Sequence, residues 1–200
     1  MPSSSSRTYK SACKQSEHIL PIRGMYCYEC NHLSSTILCP SCKELLFHCS
    51  YEYLGFTNKD ERYSWGVYEG VLTRLLTRYK SNKDYALAFF LARLLYSLIE
   101  PINASAIIPV PASYQGFRQR GFDHMALLSK ILCRKLAIKT IPILRQTKKG
   151  MIIKKKFQVP SGPIILLDDI YTTGKTTHRC IELLTTTYGI TPIVVTIATS

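Results

Sequence analysis

Apolar residues recur at three- and four-residue intervals from Tyr68 through Val71, Leu72, Leu75 and Leu76 to Tyr79, while Arg74 and Arg78 fall on the other side. That period predicts an amphipathic helix. A second helix follows at once. Asp84 is placed to cap it, the run from Ala86 to Ile99 is apolar around most of its circumference, and Pro101 stops it. Residues Ser105 to Pro109 then read as a short buried strand, closed by Pro109-Val-Pro111. A basic loop from Ala112 to Phe122 leads to Asp123, which is placed to cap a helix running to Ala137. Beyond it, Ile138 to Leu144 leans towards β, Pro163 to Leu167 is a strongly apolar strand, and Gly174 to Tyr188 is helical with Gly189 as its C-cap. Pro192 to Ala198 is a closing β-rich run. Strand and helix alternate, so the pattern predicts an α/β domain with a parallel, doubly wound sheet and a ligand site beyond the carboxyl ends of its strands.

The first part of the chain has a different character. Pro2 to Ser6 followed by Arg7, Lys10, Lys14 and Arg23 offers almost nothing to bury, so residues 1–23 read as a disordered basic arm. Cys27-Tyr-Glu-Cys30 and Cys39-Pro-Ser-Cys42 are two C-x-x-C pairs, a spacing that lets two tight turns present four thiolates tetrahedrally to one zinc ion. With four thiolates no open coordination position remains, which makes the zinc structural rather than catalytic. Cys13, Cys49, His32 and His48 are spare candidate ligands, residues of a kind that is more often an ordinary surface or core residue than a ligand. The expected organisation is an arm at 1–23, a zinc-binding module at 24–60 and an α/β domain at 61–200. No stretch reaches the length of a membrane span and the first residues lack the apolar core of a signal peptide, so the eight cysteines read as reduced thiols of a cytoplasmic protein.

Charge adds a polyanion or a phosphorylated ligand to the expected partners. The formal net charge is +13, from 26 basic and 13 acidic residues. Between His124 and Leu167 there is no acid, yet lysines and arginines recur from Lys130 through Arg145, Lys148 and Lys149 to Lys154, Lys155 and Lys156. A solvated lysine-rich surface and a phosphate or nucleic-acid face both fit that stretch.

The most specific chemistry lies in Ile164-Ile-Leu-Leu-Asp168-Asp169-Ile-Tyr-Thr172-Thr173-Gly174-Lys175-Thr176-Thr177. Four apolar residues bury a strand on both faces, and two acids then appear at its carboxyl end. Adjacent like charges cost stability unless hydroxyl donors, cations or a metal-bearing ligand compensate them. The hydroxyls, glycine and helix-start amides that follow suit a phosphate monoester. A P-loop is excluded by spacing, because its first glycine would fall on Asp169. A plain β-turn-α junction with Asp and Thr as caps is the alternative.

This stretch resembles the phosphoribosyl pyrophosphate motif of type I phosphoribosyltransferases. Ile107-Ile-Pro-Val-Pro111, Arg118-Gln-Arg-Gly-Phe122 and the upstream cysteine pairs narrow the resemblance to the ComF competence family, over roughly Cys27 to Thr199. The resemblance implies a parallel sheet of phosphoribosyltransferase type with an N-terminal zinc module. It implies Asp168 and Asp169 as catalytic acids on the ribose hydroxyls, and Thr172, Thr173, Gly174, Lys175, Thr176 and Thr177 around the 5′-phosphate. Arg118 and Arg120 would help hold a pyrophosphate, with magnesium as its companion. The partners it implies are phosphoribosyl pyrophosphate, single-stranded DNA and a competence helicase. Asp123 stands where the family usually has Asn, and the segment from Arg145 to Phe157 is shorter than the family's. In transferases a mobile loop there closes over the ribose, so the contraction favours ligand binding over turnover. An active phosphoribosyltransferase acting on a nitrogen nucleophile is the alternative.

Overall fold

A computed structural model of the chain describes residues 26–50, 62–82, 84–154 and 157–200. The arm at 1–23 with Cys13, part of the expected boundary at 60–61, and the lysines Lys155 and Lys156 lie outside these residues. The elements in chain order are α1 (Pro40–Phe47), β1 (Arg62–Val67), α2 (Gly70–Asn82), α3 (Tyr85–Ile99), β2 (Ala106–Pro109), α4 (Tyr114–Arg120) and α5 (His124–Leu136). They continue with β3 (Lys139–Thr140), β4 (Leu144–Thr147), β5 (Gly150–Ile153), β6 (Ile164–Tyr171), α6 (Lys175–Tyr188) and β7 (Ile193–Thr199).

Five strands form one sheet in the order β1-β7-β6-β2-β3, parallel at every pairing. From β2 the chain moves outward to β3 and then returns to the far side of β2 to make β6. The winding direction therefore reverses between β2 and β6, where ligands of open α/β sheets bind. Strand pleating sends successive side chains to opposite faces. Ile107, Ile165, Leu167, Val195 and Ile197 join one cluster with α2, α3 and α5. Ala106, Ile108, Ile164, Leu166 and Val194 join a second one with α6 and the β4–β5 hairpin. Both faces are dry, which is why β6 reads as an unbroken apolar run rather than an alternating one.

The caps follow their sequence signals. Asp84 accepts from the Leu87 amide at 3.2 Å, and Asp123 accepts from the Met125 and Ala126 amides, both at 3.1 Å. Gly189 closes α6 in a left-handed conformation, as its sequence position predicts.

Three segments differ from the sequence reading. The basic loop at 112–122 contains the seven-residue helix α4, started by Ser113, whose hydroxyl accepts from the Gly116 amide at 3.0 Å. It buries none of its residues, so it has no apolar period to betray it. The run from Ile138 to Leu144 is not one strand: only Lys139 and Thr140 pair with β2, Leu144 already belongs to the hairpin described next, and Pro142 between them has no amide to donate. Finally, much of the stretch read as a contracted loop is an antiparallel hairpin, β4 with β5, in register from Leu144↔Ile153 to Thr147↔Gly150.

The cysteine module is joined to the main core. Cys27, Ile37, Leu38, Cys42, Leu46 and Cys49 share a cluster with Val71, Leu72, Leu75 and Leu76 of α2. The chain leaving the module pairs with β1, where the Val67 amide donates to the Cys49 carbonyl at 2.8 Å. No helix among the described residues is long and apolar enough to cross a membrane.

Candidate functional site

The last β2–β6 pair is Pro109↔Leu167, but β6 continues beside β7 through Asp168↔Thr196 to Tyr171↔Thr199. The acids therefore sit within the strand, past the end of β2, rather than after its tip. A cavity of about 340 Å³ opens there. Its wall takes in Asp168, Asp169, Thr172, Thr173, Gly174, Lys175, Thr176 and Thr177, and from the β2 side Pro111, Ala112, Ser113 and Arg120. All the acid and phosphate-loop residues singled out in the sequence thus meet in one place. Arg118 does not line the cavity and is exposed on α4.

Lys80, His124 and Gln146 also line the wall, and nothing in their local sequence marks them. A lysine near the end of an amphipathic helix reads as solvated, and His124 reads as the first residue after a cap. Folding brings both to Asp169. Lys80 Nζ and His124 Nε2 each lie 2.7 Å from its Oδ2, while its Oδ1 accepts from the Ile170 amide at 2.7 Å. Burial by itself would raise the Asp169 carboxyl, but the His124 hydrogen bond and the Lys80 charge outweigh it and hold the group well below the usual carboxylate range.

Asp168 behaves oppositely. It accepts the Asp169 amide on Oδ1 at 2.9 Å, and no cation is ion-paired with it among the described residues. Burial, then the adjacent Asp169 charge, push its carboxyl from 3.8 up to about 7.

The loop that follows β6 ends at Gly174, at φ 72°, with the Tyr171 phenol over the position a Cβ would occupy. Only glycine fits both the conformation and the space. Among the described residues no side chain caps α6, so its first amides are open to an anion. Opposite, the Arg120 guanidinium folds back over Gly116, where a Cβ would obstruct it. Arg120 Nε is buried without a hydrogen-bond partner among the described residues, as is His124 Nδ1.

The second constellation is the cysteine cluster. The sulfurs of Cys27, Cys30, Cys39 and Cys42 all lie within 4.8 Å of one another. A tetrahedral ion with metal–sulfur bonds of about 2.3 Å would set them roughly 3.8 Å apart, a small contraction. Cys39 caps α1 with Pro40 at its first position, which places Cys42 in the first turn. The Cys39 amide donates to Cys27 Sγ at 3.3 Å. Burial opposes ionisation of Cys27, yet amides of Cys30, Cys39 and Glu29 bring that thiol down to about 6. The donor set fits a metal ion. His32, His48 and Cys49 are not members of the cluster.

Sheet order, strand overhang and the acid pair define an α/β protein with a parallel sheet, a cavity beyond the end of β2 and a four-cysteine cluster capable of holding a metal. No family model matches the chain. It is 27% identical to competence protein F of Haemophilus influenzae, with 81% of this chain and 90% of that protein covered. It is 26% identical to competence protein ComFC of Streptococcus pneumoniae, covering 78% and 73% respectively. Among solved structures, an orotate phosphoribosyltransferase from Aeropyrum pernix superposes with a TM-score of 0.37 at 20% identity, over 61% of this chain and 59% of that one.

The Asp168 carboxyl yields a pH prediction. Its folded-state value is raised, so the folded chain keeps a proton that the unfolded chain releases between about pH 4 and 7, and this group's contribution to stability falls as pH rises through that window. Asp169 is depressed, so its contribution is lost only in stronger acid and does not overlap. Asp168→Asn should flatten the decline in melting temperature across that window and melt above the parent chain at high pH without ligand. A variant that melts below the parent at high pH contradicts the assignment.

Proposed function

We propose that the cavity binds phosphoribosyl pyrophosphate, with magnesium accompanying its pyrophosphate, and that the protein serves DNA uptake or processing in natural transformation. One observation carries this reading: β6 overruns β2, so the acid pair and the loop at 172–177 share a single cavity. In this reading the open amides of α6 and the hydroxyls of Thr172, Thr173, Thr176 and Thr177 receive the 5′-phosphate. The acid pair faces the ribose, and Arg120 with the loop after β2 faces the pyrophosphate. Magnesium, when bound with the ligand, supplies charge neutralisation of the pyrophosphate. The competence proteins that the chain resembles supply the biological context.

Binding without turnover is favoured by the β4–β5 hairpin, which stands where a transferase would carry a mobile loop. Titration calorimetry with phosphoribosyl pyrophosphate and magnesium is expected to show saturable binding. A panel of nucleobases is expected to release no pyrophosphate; release above background would make the protein a transferase instead.

The metal we assign to the cysteine cluster is zinc, with a structural role, because four thiolates leave no position for water. Purified protein should carry about one zinc ion per chain, and chelation should lower the melting temperature. Metal-free protein with unchanged stability would remove zinc from the account.

Single-stranded DNA, and a helicase that handles it, are the proposed macromolecular partners. Arg145, Lys148, Lys149 and Lys154 are exposed on or beside the hairpin, and no acid lies between His124 and Leu167. Replacing Lys154, Lys155 and Lys156 together by Ser should weaken single-strand binding and make its logarithmic salt slope shallower. Phosphoribosyl pyrophosphate affinity should hardly change; losing it while DNA binding survives would assign these lysines to the ligand site.

A further inference from the structure

We propose that the two acids divide the work: Asp169 is a positioning residue that fixes Lys80 and His124 in the cavity wall, and Asp168 is the acid that contacts the sugar. The proposal rests on the cavity being a phosphoribosyl site, and it follows from the pleat. Neighbouring residues of a strand point to opposite faces, and β6 keeps its pairing with β7 through both acids. Residues 165 and 167 face α3 and α5, and residues 164 and 166 face α6. Continuing the alternation sends Asp169 to the α5 side and Asp168 to the side of α6, whose first turn carries the phosphate loop.

The contacts follow that division. Asp169 Oδ2 already receives Lys80 Nζ from α2 and His124 Nε2 from α5. These side chains are little exposed, at 15% for Asp169, 25% for Lys80 and 5% for His124. A ribose hydroxyl could take this oxygen only by breaking a shielded ion pair, and removing one partner of such a pair is costly. The arrangement is locked from behind. The Tyr79 hydroxyl, one residue before Lys80, donates to the His124 carbonyl at 2.6 Å, and Asp123 caps the turn that carries His124. One carboxylate thereby ties α2, α5 and β6 together. An ammonium has three donors, and Asp169 takes one from Lys80, so Lys80 can present the others to an anionic oxygen of the ligand. Asp168 has no such cation and faces the same space.

Three variants test this: Asp168→Asn, Asp169→Asn and Lys80→Met, with the double variant of the last two. Affinity is read with phosphoribosyl pyrophosphate and magnesium, stability by melting without ligand, and the clamp by the hydrogen-bonded imidazole N–H resonance of His124. Asp168→Asn should lose about ten- to a hundredfold in affinity while keeping the resonance and melting no lower than the parent chain without ligand. Asp169→Asn should melt lower and lose the resonance, and the double variant should bind no more weakly than Lys80→Met alone, because coupled residues are not additive. An Asp169→Asn protein that keeps both the resonance and its melting temperature, yet loses the ligand as Asp168→Asn does, overturns the division. If the parent chain does not bind the ligand at all, the functional reading fails, while the resonance and the melting temperature still decide whether Asp169 clamps Lys80 and His124.

Discussion

The overrun of β6 beyond β2 is the constraint on which the site depends. Up to Leu167 the strand is hydrogen-bonded on both edges and dry on both faces. From Asp168 onward it keeps β7 and loses β2, so the first polar residues appear where the sheet opens. A carboxylate deeper in the strand would be desolvated on every side, at a cost of several kcal/mol. One placed after the strand would have its direction set by a loop. In this position the acids are rigid because β7 holds them, and reachable because β2 has ended. The pleat then sends them to opposite faces, and the Asp169 charge still reaches Asp168 and helps raise its carboxyl.

A second fixed point lies at the cysteine cluster. The residues inside its first turn face α2: Glu29 pairs with Arg74, and the Arg78 guanidinium stacks 4.1 Å over the Tyr28 ring while donating to the Tyr28 carbonyl. Tyr79 and Lys80 follow directly on the same helix. The four cysteines thus order a turn whose side chains set the position of α2, and α2 delivers Lys80 to Asp169. An isolated module of this size would bury too little to be stable, and here its apolar residues instead extend the core of the main domain.

Much of this was legible in the sequence, for reasons that separate the readable residues from the others. Strands buried on both faces, caps at Asp84 and Asp123, the cysteine pairs and the acid pair with the loop after it are local signals, carried by residues within one turn or one strand of each other. Helix α4 is local too, but it lies flat on the surface and its residues carry no period. The participation of Lys80, His124 and Gln146 is not local at all. Each comes from a different element, and only packing of α2 against α5, and of the hairpin beside α6, makes them neighbours of the acids. The contrast between Arg118 and Arg120 has the same origin: two similar residues in one short helix, of which Gly116 leaves room for one to fold back into the cavity.

The hairpin decides what kind of chemistry the cavity favours. A loop that closes over a reacting ribose must be free of the core in its open state, so that closure can exclude water when the ligand arrives. Here Leu144 and Met151 are buried and Ile153 packs with them against α6. The Lys154 amide donates to the Ile143 carbonyl at 2.7 Å, and just beyond, the Phe157 amide donates to the Tyr188 hydroxyl at 3.1 Å. Moving this segment would open the second hydrophobic cluster, and exposing even one of its larger side chains costs about 1.5–3 kcal/mol. Gln146 therefore faces the cavity from a wall rather than from a lid. On the proposed reading, a fixed wall suits a site that holds a sugar phosphate in place and presents it, whereas transfer from the anomeric carbon would require another element to keep water out.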